Sequence, residues 1–193
     1  MKVALGFKSH SGWAAMVVVG VAGNGFEVVD RRRIELTDEG ETWAKQPYHA
    51  AENLEAKEAN RVVASGIESA RRVAIRQMRE VVSVLKKGGH KIAGCGVLVP
   101  ESMPDWTTGE ILTVHFRMHK AEGVLFPDSL CQAARECKLP LAAVPEKKLS
   151  ELAEANPEIS PDAIAALGKS IGPPWGKDQK TAAMAAIVAL SKI

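Results

Sequence analysis

The chain has 193 residues, a length that suits a single domain over 1–193 and lets it bury a sizeable core. Hydrophobic residues make up 46% and charged residues 25%, an ordinary globular balance, and a formal charge of +2 does not by itself demand nucleic acid or an anionic membrane as partner. The longest early apolar run, "WAAMVVVGVAG", is too short and glycine-broken to span a bilayer, and three cysteines without CxxC or zinc-ligand spacing suit a reducing compartment. The expectation is a cytoplasmic protein with no membrane partner.

Three strands open the chain. "VALGF" is short and apolar, "SHSG" is a turn cluster, and "WAAMVVVGV" is a second buried run. "AGNG" predicts a Gly/Asn hairpin leading into "FEVVDRRRIEL", so the three strands form an antiparallel meander. Arginines concentrate in that third strand and in "SARRVAIRQMRE", where they read either as solvated faces or as phosphate contacts.

After the polar loop "TDEGETWAKQP", apolar residues at three- and four-residue intervals predict one long helix over about residues 48–87, with Gly66 as a bend or division. "KKGGH" stops it, and "KIAGCGVLVP" is an apolar strand covered on both faces, with Cys95 a buried thiol. A loop, "ESMPDWTTG", precedes a helix through "EILTVHFRMHKAEGV", which Gly123 ends or kinks, and a second helical piece over about residues 127–136. "LPLAAVP" is a fifth strand and "EKKLSELAEAN" another helix. "GPPWGKDQK" then leads into an alanine-rich closing helix. Three antiparallel strands followed by two crossover strands predict an α/β fold, one mixed five-stranded sheet with helices on both faces.

That order resembles the ribonuclease H-like superfamily of nucleases, resolvases, integrases and, more distantly, actin-like ATPases. "ALGFKSHSGWAAMVV" is similar to its opening strand-turn-strand, with Gly6 before the turn and Gly12 after it. The resemblance implies a functional cleft gathering Lys8, Ser9, His10, His49, Glu52, Glu101, Asp105, Trp175, Lys177, Asp178 and Lys180. Catalytic members carry a metal-binding aspartate on the first strand. Lys8 stands there instead, removing the carboxylate that would bridge both ions of a two-metal centre. Asp178 matches an acid that many members carry at the start of the last helix; alone, it also reads as an N-terminal helix acid.

The histidines supply the sharpest local pattern. His115, His119 and Glu122 fall at i, i+4 and i+7, one helix face, and the spacing His-x-x-Glu occurs both at His49–Glu52 and at His119–Glu122. Two imidazoles and a carboxylate suit a divalent metal (Mg, Mn or Zn), with His115, His119 and Glu122 as ligands. A carboxylate beside an imidazole also suits acid–base work. The plain alternatives are a surface ion pair at His119–Glu122 and a packed ring at His115. In "GPPWGKDQK", Trp175 offers a stacking face and Lys177 and Lys180 flank a helix N-terminus suited to an anion; a rigid loop whose Trp covers the core edge is the alternative.

Three functions remain open. One is a nucleic-acid- or nucleotide-binding domain using Lys8, Ser9, His10, Trp175, Lys177 and Lys180. Another is a metal-dependent phosphoester hydrolase with Glu52, His119, Glu122 and Asp178 as catalytic residues. The third is a non-catalytic structural or oligomer-forming protein of the same fold.

Overall fold

Side-chain alternation along the first strand decides which layer each residue joins. The computed structural model describes residues 1–23 and 25–191; Asn24 of the expected hairpin turn lies outside the described residues. Strands β1 (Lys2–His10), β2 (Trp13–Ala22) and β3 (Gly25–Glu35) form the antiparallel meander, with Val3 opposite Gly20 and Ala22 opposite Gly25. On the other side of β1, β4 (Lys91–Val99) runs parallel to it, and β5 (Leu141–Pro145) runs parallel to β4. The order β3-β2-β1-β4-β5 is the mixed five-stranded sheet the sequence predicts.

Val3, Leu5 and Phe7 of β1 point to one face, where they meet helices α2 (Ala56–Lys87) and α4 (His115–Glu136) through Ala70, Ala74, Met78, Phe126 and Leu130. Ala4 points to the opposite face, covered by α5 (Leu149–Ala155), α6 (Pro161–Ile171) and α7 (Lys177–Ser191). Cys95 is fully buried, and burial drives its thiol pKa up. Among the described residues, no helix is long and apolar enough to cross a membrane.

Several helix boundaries differ from the sequence expectation. The long helix is two: α1 (Pro47–Ala51) ends before Glu52, and α2 then runs unbroken through Gly66, whose missing side chain leaves room for Pro47, 2.4 Å from where a Cβ would sit. The next break falls at Thr113 and Val114 rather than at Gly123. It separates α3 (Thr108–Leu112), started by a Thr107–Glu110 capping box, from α4. Helix α4 continues through both Gly123 and Pro127, because burial of Leu125, Phe126 and Leu130 outweighs the roughly 3 kcal/mol that an internal proline costs. Helix α6, absent from the sequence expectation, starts at an N-cap, Ser160, whose hydroxyl accepts from the Ala163 N–H.

Helix α7 lies almost directly on the sheet. A Cβ on Gly6 would come within 1.9 Å of the Ala182 carbonyl oxygen, and one on Gly96 within 2.0 Å of that of Ala185. Buried Ala182, Ala183, Ala185, Ala186 and Ala189 keep the helix side of this contact equally thin. Gly6→Ala or Gly96→Ala should therefore destabilise the protein by about 3 kcal/mol or more in denaturant unfolding, since backbone would have to move. Gly123→Ala, where the added methyl meets open space, should stabilise it by about 0.5–1 kcal/mol.

Candidate functional site

Because β1 alternates, Lys8 and His10 share the α7 face with Gly6, while Ser9 points to the other side. Lys8 and His10 enter a cleft of about 990 Å³ at the carboxyl ends of the parallel strands, lined also by Leu98, Glu146, Leu149, Lys177, Asp178 and Met184. The Lys8 ammonium forms an ion pair with Glu146 at the end of β5. The His10 ring stacks on Trp13 with 4.4 Å between centroids, and Arg33 lies 4.1 Å from the centre of the Trp13 ring. His10 Nε2 is 3.1 Å from Asp178 Oδ2, outside hydrogen-bond alignment. Asp178 thus faces His10, and the α7 start is tied by the Gln179 side chain, whose Oε1 accepts from the Gly176 N–H at 2.9 Å.

The loop before α7 is held by its surroundings. Trp175 lies over Gly168 of α6 and donates from Nε1 to the Ile164 carbonyl at 2.9 Å, so its ring packs on α6. Arg31 donates to the carbonyls of Gly172, at 2.8 Å, and Pro173, at 3.0 Å. Its neighbours Arg32 and Arg33 pair with Asp30 and Glu35. On α2, Arg76 and Arg72 hold the Asp38 carboxyl below the usual carboxylate range. Lys177 lines the cleft; Lys180 lies one turn further along α7, half-buried and outside its lining.

Three of the other four imidazoles gather on the opposite face of the sheet, at the start of α4. His115 is the first residue of that helix and His119 follows one turn later; their Nε2 atoms are 3.0 Å apart. His49 of α1 completes the group, its ring centroid 5.1 Å from His115 and 4.8 Å from His119. Glu122 is 5% exposed and holds α1 against α4: Oε1 accepts from the Tyr48 and His49 N–H groups, each at 3.1 Å, and Oε2 lies 2.7 Å from His49 Nδ1. Burial, with the Glu122 carboxylate behind it, pushes the Tyr48 hydroxyl pKa up.

Neither His-x-x-Glu pair is therefore a contact within its own helix. His49 bonds to Glu122 rather than Glu52, which is exposed, and His119 meets His115. The residues expected to share one pocket divide into two clusters: Lys8, His10, Lys177 and Asp178 in the cleft, and His115, His119 and Glu122 with His49 on the far face. Glu101 stands apart, paired with Lys147 at 2.7 Å, and Asp105 is exposed. His49 was visible in sequence as a helix-start histidine. Its partnership with residues 73 positions away was not.

No protein-family model matches the chain, and no curated protein matches it. Among solved structures, RuvC of Thermus thermophilus is similar at 14% identity over 98% of this chain and 95% of that one, with a TM-score of 0.49. RuvC of T. thermophilus in complex with a Holliday junction substrate is 13% identical, covers all of this chain and 96% of that one, and gives a TM-score of 0.50. The fold is ribonuclease H-like.

Three carboxylates line the cleft, Glu146, Glu154 and Asp178, and among the described residues they do not gather into a cation-ligand group. Glu146 is engaged by the Lys8 ammonium, and Asp178 faces His10. A cation placed there would meet a cation.

Removing the buried carboxylate tests the far-face cluster. Glu122→Ala strands the Tyr48 and His49 N–H groups and should cost about 1–3 kcal/mol in denaturant unfolding. The exposed Glu52→Ala should stay within about 0.5 kcal/mol of the parent protein.

Proposed function

We propose that this domain binds nucleic acid, one nucleotide unit at a time, in the cleft between β1, β5 and α7, and that it does not cut the strand by two-metal catalysis there. The observation that carries the reading is the Lys8–Glu146 ion pair in the cleft, where the resemblance implies an acid in catalytic members. A partly exposed pair of this kind contributes only about 0–1 kcal/mol, so a phosphate can replace the Glu146 carboxylate on Lys8 at small cost. Lys177 and the N-terminal end of the 15-residue α7 add positive potential on the same side, set against the Asp178 and Glu154 carboxylates that also line the cleft. Leu98, Leu149 and Met184 supply an apolar wall for a base. The nucleic-acid partner itself is suggested by the likeness to RuvC, which is known bound to a Holliday junction substrate.

Anisotropy of labelled single-stranded, duplex and four-way-junction DNA across a salt series tests this. Affinity should fall linearly on a log–log plot, and the double variant Lys8→Glu/Lys177→Glu should weaken binding at least about tenfold and flatten the salt slope by roughly 1–2. Millimolar Mg²⁺ or Mn²⁺ should yield no cleaved product. Absence of binding at low salt, or metal-dependent cleavage lost on Asp178→Asn, would overturn the proposal.

A further inference from the structure

We infer that His49, His115 and His119 form a binding site for a single divalent transition-metal ion, Zn²⁺ foremost. The site shares no residue with the nucleic-acid cleft and does not rest on that reading. One ligand atom from each imidazole lies within 4.8 Å of the other two. Helix α4 fixes two of them: His115 and His119 are one turn apart, and their Nε2 atoms converge to 3.0 Å. Two nitrogens bound to one tetrahedral zinc at about 2.0–2.1 Å lie roughly 3.3 Å apart, so the helix pair already has the spacing of a chelate. The His49 ligand atom lies within 4.8 Å of both, wider than the roughly 3.3 Å of a tetrahedral centre, so its ring would move inward on metal binding.

The buried Glu122 argues that this is more than a crowd of surface rings. Its Oε2 takes Nδ1 of His49, which leaves Nε2 as that ring's free ligand atom and fixes the tautomer. Its Oε1 is anchored by the two α1 N–H groups, so the carboxylate cannot swing out to become a ligand itself. Its role is that of a positioning residue, holding the His49 ring in place. Three neutral imidazoles favour Zn²⁺, Cu²⁺, Ni²⁺ or Co²⁺ over the oxygen-seeking Mg²⁺, Mn²⁺ and Ca²⁺. His115 and His119 are exposed, so the remaining coordination positions open to solvent and would take water or a group from a partner. Bound metal would tie α1 to α4 at the point where Glu122 already joins them.

The test uses full-length, untagged protein stripped with a chelator and titrated with Zn²⁺ against a chromophoric competitor, and with Co²⁺ followed by its visible absorption. One equivalent should bind with micromolar or tighter affinity, and Zn²⁺ should raise the melting temperature. His115→Ala and His119→Ala, both at exposed positions, should abolish the one-equivalent binding and the shift. Glu122→Gln should weaken binding about 10–100-fold while circular dichroism confirms the fold. His90→Ala should bind like the parent protein. No stoichiometric uptake by the parent protein, or uptake unchanged in His115→Ala and His119→Ala, would falsify the assignment.

Discussion

The architecture depends on the contact between α7 and the centre of the sheet, where two glycines and a row of alanines bring a helix backbone against strand backbone. At Gly6 and Gly96 there is no room for even one methyl group. This close approach fixes where the first turn of α7 ends up, and so places Asp178 beside His10 and Lys177 over the end of β1. The cleft is a by-product of that packing. Its floor is strand, one wall is the start of α7, and the other is the short helical segment after β5. The Arg31 clamp on the loop carbonyls and the Trp175 ring on α6 hold the approach to α7 in the same position.

The two clusters differ in how firmly their charges are held. In the cleft the Lys8–Glu146 ion pair is partly exposed, and water and incoming ions compete for each partner. Such pairs neutralise a site at rest and yield to a ligand of the right charge. On the far face, Glu122 is buried and takes four hydrogen-bond partners, the Tyr48 and His49 N–H groups, the His49 ring and the Gln46 side-chain amide, so losing a close one leaves a polar group in a dry environment. That carboxylate is a structural fixture, and whatever the three imidazoles do, they do it from a fixed base.

Much of the architecture was legible in the sequence because it is written in local pattern. Period-two runs, turn residues and helix stops gave the element order, and the order left one sensible sheet. Lys8, read as the last part of the opening strand before its turn, lies in β1. Local pattern misled where packing outvoted it: Gly123 and Pro127 read as breaks, yet burial carries α4 through both. The α6 signals, Ser160 followed by Pro161 and then apolar Ile164, Leu167 and Ile171, were present and went unread. The histidine pattern placed His115 and His119 on one face but assigned Glu122 to the wrong imidazole. Spacing along one helix cannot show that α1 folds back to offer two N–H groups and a ring.

The most direct test of the central claim is methyl NMR of the protein during titration with single-stranded DNA. Saturable shifts of the Met184, Leu98 and Leu149 methyl signals, with Met78 in the opposite core unmoved, are the expected result. Shifts confined to the arginine face of α2 or to Met118 near the imidazoles, with the cleft methyls silent, would contradict the account.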